Sequence, residues 1–321
     1  MARVTIQGKL AKIAERTKVK AAIGIDGPSG DGKSGLALIL ARGLISSENE
    51  KKIYTIDTEN KSLLLYVQKL MSDGKKMESF WHAELTKNDG YSPFNYEYLR
   101  EDAKSKNCEV IIQDSYTHCW LRKGGVLDMV NTLQTDPKFN KYTAWGHPDV
   151  AEAKNLIFEL IRDDELHVIS TIRVKEAFAM QTGDNGKAQV VSLGEQEMQI
   201  DGLKYEFDLL LSMLEPGNEK GKPPRVLVEK SRYELFQKGE IYDITPELIN
   251  KLKEYLETGI SIEELNEKTR IELAQYISEK ANNDKSLKTI FINDYPGKKA
   301  IDLTLEQLRE INAKFISVEY A

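Results

Sequence analysis

Between about residue 18 and residue 242, short runs of β-branched and other apolar residues alternate with stretches of helical periodicity. Apolar runs at 21–25, 53–56, 110–113, 167–172, 209–213 and 225–228 predict strands. The run that ends at Asp114 is continuous rather than alternating, as central parallel strands are. The amphipathic stretches between the runs predict covering helices, so the pattern is that of an α/β fold with a mainly parallel sheet. A hairpin is predicted at 177–191, where Thr182, Gly183, Asp184, Asn185, Gly186 and Lys187 supply turn chemistry. At 205–208 the order Tyr-Glu-Phe-Asp predicts strand alternation, with Tyr205 and Phe207 inward and Glu206 and Asp208 outward.

After residue 242 the strand signals fade. Thr245 and Pro246 read as an N-cap and a first-turn proline. Leu248, Ile249, Leu252, Tyr255 and Leu256 then form a helical stripe ended by Gly259. Ser261 with Glu264, and Thr304 with Gln307, fit capping boxes that open two further helices. The chain is thereby divided into a core at 1–244, including an N-terminal helix, and a mainly helical extension at 245–321.

Composition narrows the setting. The 321 residues carry 45 Lys and Arg against 51 Asp and Glu, a net charge of −6, and 40% are hydrophobic, enough for a core. No apolar run approaches the roughly 20 residues of a membrane span. The mixed-charge N-terminus lacks the apolar stretch of a secretory signal. These features predict a cytoplasmic chain without a membrane partner. Cys108, Cys119 and four histidines show no zinc-ligand spacing, so both cysteines are expected as buried thiols. The acidity discourages non-specific nucleic-acid binding by bulk charge and leaves a local basic loop open. The loop at 216–225 offers such a basic tip, or is simply solvated.

The strongest chemical signal is Gly27, Pro28, Ser29, Gly30, Asp31, Gly32, Lys33 and Ser34, which fits G-x-x-x-x-G-K-[ST] between a predicted strand and an apolar helix at 36–44. Gly27, Gly30 and Gly32 permit backbone conformations that turn successive N–H groups inward around a phosphate. The helix beginning near Lys33 adds its positive dipole end. In such a P-loop Lys33 reaches the β- and γ-phosphates of ATP, and the Ser34 hydroxyl ligates Mg²⁺. Asp114, ending an apolar run, supplies the second Mg²⁺-side carboxylate at the Walker B position.

Further matches rest on resemblance. Residues 52–59 run a strand into Asp57-Thr58-Glu59, which resembles the D-x-E of RecA-like ATPases, including RecA, RadA and the hexameric DnaB helicases. That likeness implies that Glu59 orients the attacking water; read alone, the segment is better taken as a solvated acidic turn, and its place between the P-loop and Asp114 favours the catalytic role. Ser115 after Asp114 also resembles RecA. Lys230-Ser231-Arg232 at a strand end resembles the K-x-R with which RadA and DnaB subunits reach into a neighbour's ATP site. It implies a homo-oligomer, ring or filament, in which Lys230 and Arg232 act in trans on the γ-phosphate. The bland alternative is two surface cations.

The P-loop, IIQDSYTH, Trp145-Gly-His-Pro148, ISTIRVKEAF, GLKYEFDLLLSM and EKSRYELF together resemble the phage-encoded RecA-like nucleotide-binding proteins, over residues 18–242. Some members of that family are single-strand annealing recombinases that work beside a single-stranded-DNA-binding protein. The resemblance implies a RecA-like P-loop NTPase core that uses ATP and Mg²⁺ on single-stranded DNA. The helical extension would engage a single-stranded-DNA-binding protein or a helicase. The chain departs from the family at Gln113, where an aliphatic residue is usual, and in the length of 261–321. A helicase loader or replication accessory ATPase is the alternative, and a small-molecule kinase is disfavoured because no arginine-rich lid is evident.

Arg173 and Lys175 follow the predicted central strand at 167–172, and Thr171 lies at its end. A γ-phosphate sensor at Thr171 and a sensor or DNA contact at Arg173 and Lys175 compete with routine strand-end salt bridges. Trp120, Arg122, Lys123, Tyr142 and Trp145 interleave rings and cations as single-strand binders do. Core packing of the tryptophans is the other reading.

Overall fold

The computed structural model describes residues 14–182, 188–214 and 222–319, with the backbone alone at 176–197, 262 and 319. The expected N-terminal helix, the 183–187 turn and most of the 216–225 loop lie outside the described residues.

The first part of the chain forms β1 (Ala22–Gly27), α1 (Lys33–Leu44), β2 (Ile53–Asp57), β3 (Trp81–Glu84) and α2 (Pro93–Ser105). It continues through β4 (Val110–Asp114), α3 (His118–Leu121), α4 (Val126–Leu133) and α5 (Pro148–Glu159). The long strand β5 (His167–Thr182) precedes β6 (Ala188–Glu197), β7 (Leu209–Met213), β8 (Arg225–Ser231), β9 (Ile241–Asp243) and α6 (Pro246–Leu256). Eight strands run in the order β3-β2-β4-β5-β1-β7-β8-β9, and β6 pairs with β5 off this path. The pairs from β3 to β7 are parallel, whereas β7–β8, β8–β9 and β5–β6 are antiparallel. The architecture is α/β, a mostly parallel mixed sheet flanked by helices.

Each central strand is apolar on both faces because both faces are covered. Ile23, Ile25, Ile53, Ile112 and Leu211 pack in one cluster with α1 and α6. Their neighbours in sequence, Ala22, Tyr54, Ile111, Val168 and Leu210, pack in the other with α2, α3, α4 and α5. Gln113 breaks the apolar run without a penalty: its amide donates to Leu160 O (3.1 Å) and accepts from Ser170 Oγ (2.9 Å). A buried amide with both ends bonded is tolerated.

Three departures from the sequence pattern have local causes. The strand predicted at 167–172 continues to Thr182 because its outer half is paired with β6 as a hairpin arm. Residues 203–205 form a 3-10 turn rather than a strand, so Tyr205 is exposed while Phe207 is buried. Asp208, expected to face out, is buried and accepts Arg162 Nη2 (2.7 Å) and Arg232 Nη1 (3.2 Å). A buried carboxylate is kept by such pairing.

The third concerns the boundary at 244/245. Among the described residues the compact units are Val19–Leu256 and, separately, residues 14–18 with 257–319. Helix α6 belongs to the former: Ile249, Leu252 and Leu256 are buried in the cluster with α1. Gly43 makes the approach feasible, since a Cβ there would stand 2.2 Å from Ile249 Cγ2. Leu252→Ala is therefore expected to cost about 2–5 kcal/mol of unfolding free energy, the usual cost of emptying a buried leucine site. Denaturant unfolding of the full chain checks this, and a loss below about 1 kcal/mol would remove α6 from the core.

The other unit has its own apolar centre, formed by Leu273, Ile277, Leu287, Leu303, Leu308, Ile311 and Phe315. These come from α7 (Ile262–Asn283), α8 (Lys285–Asp294), α9 (Leu305–Glu319) and the turn before α9. Both predicted capping boxes are present: Ser261 and Glu264 bond reciprocally, as do Thr304 and Gln307. Lys18 N donates to Ile260 O (2.9 Å) and Ile260 N to Arg16 O (3.1 Å). Gly259 (φ 116°) allows that approach, because a Cβ there would meet Arg16 O at 2.2 Å.

Candidate functional site

Strand register decides which side chains meet. Gly27 of β1 stands opposite Arg173 of β5, and Ile25 opposite Thr171. Asp57 of β2 stands opposite Asp114 of β4. Parallel strands bring their C-terminal ends to one sheet edge, where open α/β sheets bind ligands. Segments far apart in sequence thus converge there.

Between β1 and α1 the glycine-rich loop carries Gly30 (φ 98°) and Gly32 (φ 92°) in the left-handed region, with Gly32 as the N-cap of α1. Left-handed glycines ahead of a helix N-terminus are the backbone geometry with which proteins surround anions. Lys33 Nζ donates to the carbonyls of Gly27 (2.8 Å) and Pro28 (2.6 Å). Burial holds its ammonium below the ordinary lysine value, and Glu59, Asp114 and Asp31 oppose that shift.

Asp114 is buried and accepts Ser34 Oγ on Oδ2 (2.6 Å) and Thr171 Oγ1 on Oδ1. Burial, then the neighbouring charge of Glu59, pushes its carboxyl up to about 6, while the two hydroxyls hold it down. Ser34 and Asp114 together present oxygen donors of the kind a hard cation takes. Among the described residues no cluster of three His, Cys, Asp or Glu forms a metal site. Mg²⁺ needs none, because it keeps waters and phosphate oxygens as its remaining ligands.

The Asp57–Glu59 turn is pinned from several sides. Asp57 accepts Glu59 N (2.7 Å) and Leu63 N (2.9 Å), Thr58 N donates to Asp114 O (2.7 Å), and Ser115 N donates to Thr58 Oγ1 (2.8 Å). Burial raises the Asp57 carboxyl against those backbone bonds. The turn is therefore tied to the end of β4, with the Glu59 side chain directed to Arg173. Arg173 Nε and Nη2 both donate to Glu59 Oε1, at 2.9 and 2.8 Å. The salt bridge that competed with a sensor or DNA contact at Arg173 exists, and its partner is the candidate water-orienting residue.

A cavity of about 250 Å³ gathers these groups: Ser29, Gly30, Gly32, Lys33, Ser34, Glu59, Asp114 and Arg173 line it. Thr171 is buried behind Asp114. Lys175 is exposed and does not line the cavity. Larger cavities, each about 700 Å³, open beside Arg42 and Glu50 and beside Asp201 and Lys204. Neither contains the glycine-rich loop, which lines the smaller cavity.

Ser62, Leu65, Tyr66 and Lys69 complete the wall, and sequence reasoning passed over all four. Residues 62–66 form a short 3-10 turn without readable periodicity. A signal lay only in Gly35, whose missing Cβ leaves the Tyr66 ring room at 3.3 Å.

Lys230 and Arg232 sit elsewhere. β8 is antiparallel to β7, with Lys230 opposite Leu210 and Ser231 opposite Leu209, and Leu209 lies beside Ile23 at the start of β1. From Ile23 to Gly27 the strand climbs about 13 Å, so the pair stands toward the opposite sheet edge. Lys230 Nζ donates to the carbonyls of Phe207 (2.5 Å) and Tyr205, and Arg232 pairs with Asp208. Trp120 and Trp145 pack side by side, centroids 6.0 Å apart, against the core, leaving Tyr142, Arg122 and Lys123 exposed. Cys108 and Cys119 are buried free thiols. No described helix is long and apolar enough to cross a membrane. No family model matches the chain, and no curated protein matches it.

Proposed function

We propose that the chain is a RecA-like ATPase that binds Mg²⁺-ATP and acts on single-stranded DNA as a homo-oligomer. The convergence of Lys33, Ser34, Asp114 and Glu59 on one cavity carries this reading. In it the loop amides and Lys33 hold the β- and γ-phosphates, and Ser34 and Asp114 hold Mg²⁺, which neutralises phosphate charge. Tyr66 and Leu65 offer an apolar wall for the base. Glu59 takes a proton from water as its oxygen attacks the γ-phosphorus. The bond to the β-phosphate oxygen breaks, leaving ADP and inorganic phosphate.

Lys230 and Arg232 do not line their own chain's cavity and are bonded to Tyr205, Phe207 and Asp208, so in this reading they act on a second copy's site after leaving those partners. Exposed Tyr142, Arg122 and Lys123 and the β5–β6 hairpin are the candidate contacts to single-stranded DNA. The separately cored helical unit supports a second reading, a replication accessory ATPase or helicase loader gripping a protein partner.

Steady-state ATP hydrolysis with and without single-stranded DNA tests the proposal. Turnover is expected to rise with DNA, and Lys33→Ala to abolish it. Mixing Lys33→Ala with Arg232→Ala subunits should restore part of the activity through shared sites. Turnover and nucleotide affinity indifferent to DNA would favour the accessory reading, and absence of nucleotide binding would reject both.

A further inference from the structure

Two of the three cations that line the cavity, Lys33 and Arg173, are occupied by acceptors of the protein itself, and the third, Lys69, stands over the Tyr66 ring. Lys33 rests on two loop carbonyls, and Arg173 gives two charge-assisted hydrogen bonds to one oxygen of Glu59. The pair is only partly screened, with side-chain exposures of 28% for Arg173 and 24% for Glu59. The backbone of Arg173 is fixed independently: its N–H donates to Thr117 Oγ1 (2.9 Å), and the residue stands in register with Gly27. Its side chain can therefore change partner without moving the strand. The cavity it lines also contains Gly30, Lys33 and Ser34, where the terminal phosphate of a nucleoside triphosphate would lie.

We propose that Arg173 is a gate on Glu59: it holds the carboxylate in the nucleotide-free protein and exchanges it for the γ-phosphate when a triphosphate binds. The inference rests on the ATP-binding reading above. In the closed state one Glu59 oxygen is engaged by two cationic donors and the carboxylate is held toward Arg173 rather than toward a water. A γ-phosphate carries more charge than a carboxylate and accepts bidentate guanidinium bonds. Once Arg173 turns to it, Glu59 is released toward the nucleophile in the same movement. A diphosphate lacks the group that opens the gate, so hydrolysis-competent geometry is confined to the triphosphate state.

The exchange has a thermodynamic signature, because breaking the Arg173–Glu59 pair opposes triphosphate binding alone. The test is titration of the full chain with ADP and with a non-hydrolysable ATP analogue, each with Mg²⁺, for wild type, Arg173→Ala, Glu59→Ala and the double variant. Arg173→Ala is expected to weaken the analogue about tenfold or more and to change ADP by less than about twofold. Glu59→Ala is expected to tighten the analogue several-fold without affecting ADP, and that gain should vanish in the double variant. Equal loss of both nucleotides in Arg173→Ala, or no gain in Glu59→Ala, would make the pair merely structural and overturn the gate. Wild-type protein that binds neither nucleotide would overturn the ATP reading together with it. Glu59→Ala keeps the question open to measurement even if Arg173→Ala folds poorly.

Discussion

Replacing Glu59 with glutamine is expected to lower ATP turnover by about 10²–10⁴-fold, the usual contribution of a positioned general base, while nucleotide affinity is retained. Glutamine keeps the length of the side chain and an oxygen for Arg173 to bond. Its amide oxygen does not take a proton from water at neutral pH. The turn is held by Asp57, Thr58 and the end of β4 rather than by the Glu59 carboxylate, so the change leaves the frame intact. Single-turnover hydrolysis beside a nucleotide titration separates the chemical step from binding. A rate within about threefold of wild type would mean that water is polarised by another group, and Glu59 would revert to an acidic turn residue.

Asp114→Asn is expected to move stability and activity in opposite directions. The carboxyl is buried beside Glu59, and burial with that charge raises it from an ordinary 3.8 to about 6. The folded state therefore holds a proton that the unfolded chain has lost between about pH 4 and pH 6. Wild-type stability falls as pH rises through that window, and above it the buried carboxylate costs up to about 3 kcal/mol. Asparagine removes the charge and keeps two hydrogen bonds, accepting from Thr171 and donating to Ser34. The variant should gain about 1–3 kcal/mol over wild type at pH 8, with the gain shrinking toward pH 4. Mg²⁺-dependent turnover should be lost, since the cation loses its carboxylate. Unfolding measured from pH 4 to pH 8 without nucleotide checks the sign; an asparagine variant less stable than wild type at pH 8 would refute it. Such destabilisation by a retained acidic group is what a binding site costs the fold.

Some features were legible in the chain because they are local. The apolar runs located six strands; in β1, β2 and β4 burial on both faces leaves no alternation to misread, β8 is buried on alternate residues, and β5 runs past its predicted end at 172 to Thr182. The β3 edge strand was missed: it has four residues, Trp-His-Ala-Glu, half exposed and without an apolar run. The β9 strand, Ile-Tyr-Asp, is shorter still. The stripe on α6 was readable, yet its allegiance was not. A helical stripe says that one face is buried, and only Gly43 and Ile249 in contact say against what.

The same division runs through the site. By itself the sequence determined the glycine-rich loop between a strand and a helix, a carboxylate at the end of a buried strand, and an acidic turn after another. Each is a pattern within a few residues whose backbone conformation is set locally. Only the tertiary structure decided that Arg173 bonds Glu59, that Thr171 bonds Asp114, and that Lys230 and Arg232 stand away from their own loop. Arg173 and Glu59 are 114 residues apart, and no local propensity couples them. What couples them is the order β2-β4-β5-β1 and its register, which align strand ends from four segments at one edge. That order follows from long-range pairing and helix coverage, terms that belong to the folded whole and to no segment of the chain.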